Sequence, residues 1–225
     1  MDCRHDAANV AGKAAAMFLA TAYALWGVFI VSWWIAAMWT ARATVKSRGW
    51  STLVYNAGFI IGFGLLFTPA HRAGYSIQAG FSGIVPPSWR DALWGTPALA
   101  GWMLVGLEVA GLAFAWWARL HLGALWSGML TLREGHRVVD TGPYRLVRHP
   151  IYTGFIAAAW ALALIVGAPA ALGGAVVLTI VMSVKSKTEE RLLRRELGEA
   201  SYTDYAARTP MLVPFSPVAR RRAAV

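Results

Sequence analysis

The reactive side chains of this protein crowd into one stretch, Asp140-Thr-Gly-Pro-Tyr-Arg-Leu-Val-Arg-His-Pro-Ile-Tyr-Thr-Gly154. Arg145 and Arg148 carry permanent charge, and His149 titrates near neutral pH. Tyr144 and Tyr152 offer ring faces with polar tips. A pair of carboxylates, Glu189 and Glu190, follows a long apolar segment. Aromatic rings and carboxylates together attract a positive centre. Rings also stack an adenine, and a carboxylate accepts from a ribose diol, as in dinucleotide sites. The stretch is expected to lie at a membrane surface and to hold an anionic, nucleotide-like cofactor at the mouth of a helical bundle.

Each residue also has an ordinary use. Arg145 and Arg148 suit lipid phosphates, Pro150 suits the first turn of a helix, and Gly142-Pro143 suits a turn. Tyr144 and Tyr152 suit an interfacial belt, and Glu189 and Glu190 a solvated helix face. The ordinary uses leave the joint spacing unexplained.

The surrounding chain must position these groups. It has 225 residues, 57% of them hydrophobic and 14% charged. Soluble domains run nearer about 45–50% apolar and about 25% charged, so the composition indicates a polytopic membrane protein and an all-α fold. Five spans are expected, over residues 14–39, 51–68, 98–118, 151–167 and 169–184, the last two forming a helical hairpin split by Gly167-Ala-Pro169. Residues 69–97, with Pro69, Pro86-Pro87 and Pro97, are expected to form a loop that caps the bundle or lies on the bilayer. Gly58, Gly62 and Gly64 would let the second span approach a neighbour closely, and Asn56 would hydrogen-bond another helix. The organisation is then residues 1–118, three spans with a non-cytoplasmic loop, and residues 119–225, a cofactor-binding core with a cytoplasmic tail.

The net charge of +10 does not point to nucleic acid, because the charges sit at the ends of apolar runs. If residues 40–50, 119–150 and 185–225 share one side, that side holds all of the 21 Lys and Arg except Arg4, Lys13, Arg72 and Arg90. The positive-inside rule then places the N-terminus outside and the C-terminus in the cytoplasm. Alanine-rich composition suggests a bacterial inner membrane. The lone Cys3 excludes a disulfide within the chain and a cysteine-rich metal site, and no metal is expected. Glu108, inside the third span, is a candidate substrate contact because intramembrane carboxylates are functional by default; the structural alternative is a paired glutamate bonding a neighbouring helix.

The order Gly142-Pro-Tyr-Arg-x-x-Arg-His-Pro-x-Tyr-x-Gly154, an apolar hairpin, Glu189-Glu190, Tyr202-x-x-Tyr205-x-x-Arg208 and Pro214-Phe215 resembles the isoprenylcysteine carboxyl methyltransferase family. These are membrane enzymes that use S-adenosyl-L-methionine, with relatives among phospholipid N-methyltransferases. The resemblance covers roughly residues 120–215. It implies cofactor contacts from His136, Arg137, Val138 and Val139, from Tyr144, from His149, Pro150, Ile151 and Tyr152, and from Glu189, with Glu190 beside it. It implies an acceptor contact at Lys185, where the family's eukaryotic members carry arginine, so the charge is kept and the bidentate fork lost. Arg148 and Glu108 join Lys185 as expected acceptor contacts. The implied reaction is an in-line methyl transfer to a lipophilic small-molecule or lipidated acceptor among membrane lipids. Positioning supplies most of the acceleration, so no catalytic acid or base is assigned. The alternatives are a membrane sterol-type reductase using NADPH and a lipid-binding scaffold without enzymatic activity.

Overall fold

The computed structural model describes residues 3–38, 43–46, 50–68, 83–123, 126, 131–133, 139–197 and 199–217. Among the described residues the chain is helical, apart from one short antiparallel ladder. In order come α1 (Cys3–Ala37), β1 (Ala43–Lys46), α2 (Trp50–Leu66), α3 (Ala98–Leu122), β2 (Thr131–Arg133), α4 (Pro150–Val166), α5 (Pro169–Leu197) and α6 (Glu199–Arg208). β1 pairs with β2. Three helical stretches are long and apolar enough to cross a membrane: Gly12–Ala37, Ala98–Leu122 and Pro169–Arg195. Thr52–Leu66 and Pro150–Val166 are apolar but shorter. At ~1.5 Å per residue, α4 measures about 25 Å, somewhat less than a ~30 Å hydrocarbon core.

The boundaries follow from local chemistry. Pro150 and Pro169 occupy first turns, where a missing N–H costs nothing. Gly167 ends α4 with φ of 69°, a left-handed conformation that suits glycine. Leu93 donates its backbone N–H to the Gly167 carbonyl at 2.8 Å, so part of the expected capping loop does sit on the α4–α5 turn. Residues 69–82 of that loop lie outside the described residues.

Small residues set the spacing. α3 and α4 cross at Gly111 and Gly154, where a Cβ on either would strike the carbonyl oxygen of the other. α2 and α5 meet at Gly62 and Gly174, and a Cβ on Gly174 would fall 2.6 Å from the Gly62 oxygen. The expected close approach at Gly58 and Gly62 is therefore present. Asn56 is exposed on the outer face of α2 rather than turned to another helix. α1 lies along α3 and reaches α2 and α4 through rings: Trp26 stands edge-on to Phe63 and Phe67, and Phe29 edge-on to Phe155.

Both α1 and α3 end at one face of the bundle. Arg119 ties them there, donating from Nη1 to the Gly123 carbonyl and from Nη2 to the Ala36 carbonyl, each at 2.9 Å. A cation is favoured where helix carbonyls are unmet. The guanidinium also lies 4.2 Å from the centre of the Trp126 ring.

Candidate functional site

The hairpin returns the chain to the Arg119 face. The α4–α5 turn is short, so the start of α4 and the later part of α5 must lie side by side. Residues distant in sequence thereby come together: Tyr152 donates to Glu189 Oε1 at 2.6 Å. His149 lies between the two carboxylates, Nδ1 at 3.6 Å from Glu189 Oε2 and Nε2 at 3.3 Å from Glu190 Oε1. Both ring nitrogens thus face acceptors, an arrangement that suits the imidazolium. Burial alone would depress the imidazole, but hydrogen bonding and charge from Glu189 and Glu190 outweigh it and hold His149 above its ordinary value.

Tyr152 stacks on His149 with ring planes 6° apart, one helical turn along α4. Lys185 is buried, its ammonium 5.5 Å from the Tyr152 ring centre and 5.6 Å from that of Phe59. It stands one turn before Glu189 on α5, which places the expected acceptor contact beside the expected cofactor contacts. Side by side are a lysine, an imidazole, two carboxylates and an aromatic ring. Glu189 is the more exposed of the two carboxylates, 21% against 10% for Glu190.

Arg148 is turned elsewhere. Its Nε donates to Glu190 Oε1 at 2.7 Å, and its Nη1 donates to the Ala206 carbonyl at 2.9 Å and to the Thr209 carbonyl. The expectation of an acceptor contact at Arg148 meets a guanidinium already committed to protein acceptors.

The segment after α6 lies against the same face. The backbone N–H groups of Arg148 and His149 donate to the carbonyls of Pro210 and Met211 at 2.8 and 3.1 Å. Thr153 Oγ1 donates to the Leu212 carbonyl at 2.6 Å. Tyr205 donates to the Tyr144 carbonyl at 2.7 Å. Tyr144 is buried, its hydroxyl donating to the Ala118 carbonyl at 3.4 Å, and burial raises its phenol far above the usual range, so it stays neutral. Burial raises Tyr202 and Tyr205 in the same way. The strap of Thr209 to Leu212 was not expected as part of the site. Its signals in the sequence are Pro214-Phe215 just after it and the Tyr202-x-x-Tyr205-x-x-Arg208 spacing before it, which places both tyrosines on one face of α6.

Of the remaining expected contacts, His136, Arg137 and Val138 lie outside the described residues. Val139 is half-buried and leads into the turn at Gly142, whose φ of 57° and closeness to the His121 ring leave no room for a Cβ. Pro150 is buried and Ile151 half-buried in the first turn of α4. Glu108 is buried in the middle of α3, well away from this cluster. Among the described residues, no group of His, Cys, Asp and Glu could hold a metal ion.

The arrangement fits S-adenosyl-L-methionine by donor set. Glu189 can accept hydroxyl donors, and the carboxylates balance a sulfonium or ammonium charge. The cation of Lys185 suits a carboxylate. Residues 104–195 match the model of the isoprenylcysteine carboxyl methyltransferase family. The chain is 35% identical over 151 residues to methanethiol S-methyltransferase 2 of Bradyrhizobium diazoefficiens, covering 60% of this chain and 55% of that protein. It is 34% identical over 85 residues to protein-S-isoprenylcysteine O-methyltransferase B of Arabidopsis thaliana, covering 36% and 42%. It is 30% identical over 130 residues to the cobalt-zinc-cadmium resistance protein CzcN of Cupriavidus metallidurans, covering 55% and 53%. The chain therefore spans about half the length of the curated relatives it matches.

Proposed function

We propose that this chain, whose residues 104–195 match the model of the isoprenylcysteine carboxyl methyltransferase family, is an S-adenosyl-L-methionine-dependent methyltransferase acting on a lipophilic or lipid-like acceptor. The observation that carries the reading is the cluster of His149, Tyr152, Lys185, Glu189 and Glu190 at one end of the bundle, all inside the matched segment. Two of the matched relatives bear methyltransferase names.

When bound, S-adenosyl-L-methionine supplies an electrophilic methyl group. The chain's residues bind and orient. Glu189 accepts hydroxyl donors, with Tyr152 and His149 fixing its carboxylate from two sides. Lys185 places a positive charge beside the acceptor, which favours an anionic oxygen or sulfur nucleophile. Tyr144, Val139, Pro150, Ile151 and Tyr152 are further cofactor contacts, with His136, Arg137 and Val138. Holding two reactants in line converts a bimolecular step into an effectively unimolecular one, and no residue is asked to move a proton for an ionised acceptor. The five apolar helices all span, with the cluster on the cytoplasmic side of a bacterial inner membrane and the N-terminus outside. A soluble cofactor then arrives from the cytoplasm and a lipophilic acceptor from the bilayer.

The test is calorimetric titration of detergent-purified protein with S-adenosylhomocysteine. Wild type is expected to bind, and Glu189→Gln to bind at least about tenfold more weakly, ~1.4 kcal/mol. A folded wild-type protein that takes up NADPH and no S-adenosylhomocysteine would sink the reading.

A further inference from the structure

Glu108 is fully buried, and neither carboxyl oxygen has a hydrogen-bond partner among the described residues. The indole N–H of Trp26, also fully buried, is in the same condition. A buried polar group left unmet costs about 1–3 kcal/mol, more when charged. Native cores hold few of them, and each calls for an explanation.

The two sit at one level of the bundle. α1 and α3 run parallel in a constant register. Phe18 packs on Gly101, Trp116 Nε1 donates to Ser32 Oγ at 3.2 Å, and Arg119 reaches the Ala36 carbonyl. That register puts Trp26 beside residues 109–110, within about 2 Å of Glu108 along the axis at ~1.5 Å per residue. Both lie toward the bundle centre. On α3, Gly101, Trp116 and Arg119 meet α1, while Gly111 and Ala115 meet α4. At 3.6 residues per turn, Glu108 falls on the arc between these two faces, toward the bundle centre. The Trp26 ring lies at that centre, touching Phe63 and Phe67 of α2 and Phe155 of α4.

The chemistry of the pair narrows the guest. An indole N–H only donates, so the guest must accept. A carboxyl presents an acceptor oxygen whether or not it is protonated, so the guest must also donate. An ammonium donates alone and leaves the indole unmet. A hydrocarbon meets neither group. A hydroxyl has one donor and two lone pairs and serves both. Gly111 abuts Gly154 and Ala158, so Glu108 stands opposite the middle of α4, about 15 Å from the His149 level at ~1.5 Å per residue.

We propose that Glu108 and Trp26 bind a hydroxyl carried by a lipophilic molecule, at the end remote from the methylated atom. The assignment of that molecule as the methyl acceptor rests on the proposed function; the hydroxyl site itself does not. Water has the same donor and acceptor set, and the experiment separates the two sources.

The full-length protein in detergent is treated with dicyclohexylcarbodiimide, which attacks carboxyl groups in apolar surroundings, and Glu108 modification is followed by peptide mass. In parallel, the Glu108 carboxyl stretch is read by infrared difference spectroscopy against Glu108→Gln. The probes are n-decanol and n-decane. n-Decanol is expected to slow labelling several-fold and to shift the carboxyl band, n-decane to do neither, and Trp26→Phe to weaken the effect of n-decanol. Equal effects of the two probes, or no effect of n-decanol on either readout, would overturn the proposal, the second outcome leaving a water-filled or empty site. Protection by n-decanol in a protein that does not bind S-adenosylhomocysteine would sink the methyl-transfer reading and leave the hydroxyl site standing.

Discussion

Arg148 donates from Nε to Glu190 Oε1 across 2.7 Å, linking the residue before His149 to the later part of α5. The same guanidinium holds the carbonyls of Ala206 and Thr209. It therefore fastens α5, α6 and the strap to the His149 turn. Both side chains are about nine-tenths buried, at 11% and 10% exposure. Removing one partner of a buried pair strands the other charge and costs about 3–5 kcal/mol. Arg148→Ala is expected to lose stability on that order. Arg148→Lys should recover only part of it, because the ammonium cannot reproduce the planar fork. Thermal unfolding followed by tryptophan fluorescence checks both, and an unchanged midpoint for Arg148→Ala would contradict the clamp.

His149 makes stability depend on pH in a definite direction. Its folded value is held above the ordinary 6.5 by Glu189 and Glu190. The folded state thus binds the proton more tightly than the unfolded one. The resulting stabilisation is complete below the ordinary value and is lost as pH rises through the raised folded value. Wild type should become less stable from neutral toward mildly alkaline pH, while His149→Asn should show a flatter profile. Denaturation midpoints across that range decide the point; parallel profiles would mean that His149 does not titrate there.

The α3–α4 crossing gives a packing test. A Cβ on Gly154 or on Gly111 meets the other's carbonyl oxygen, and overpacking costs about 1–3 kcal/mol. Either alanine should destabilise, and because the two positions touch, the double variant should depart from additivity. Gly106 and Gly173 have nothing within 4 Å of an added Cβ. Alanine there should be neutral or slightly stabilising, since glycine is the weaker helix former. Equal losses at all four positions would point to a cause other than this contact.

Tyr205 supports the same face from α6. Tyr205→Phe leaves the buried Tyr144 carbonyl without its 2.7 Å donor, at a cost of about 1–3 kcal/mol. The loosening should be local, so the expected signature is faster proteolysis after α6 with the bundle intact. Unchanged cleavage would show that the strap is held without this bond.

Much of the fold and the chemistry was already legible in the sequence. Apolar runs of spanning length, bounded by Pro150, Gly167 and Pro169, mark helices because backbone groups in an apolar medium must be satisfied internally. A hairpin has to bring its two ends to one face, which is why the meeting of His149 and Tyr152 with Glu189 and Glu190 followed from order alone. Glycines at 58 and 62 announced close approach, since only a missing Cβ allows it. Other features depended on three-dimensional arrangement. That Arg148 reaches Glu190 and the strap depends on where Thr209 and Ala206 place their carbonyls, and a carbonyl is identical in every residue. Asn56 has the composition of a helix contact and yet faces outward, because the rotation of α2 is set by Gly62 against Gly174. The pairing of Glu108 with Trp26 at one level depends on the relative register of α1 and α3. Side-chain contacts distributed along both helices set that register, and no local stretch of sequence encodes it.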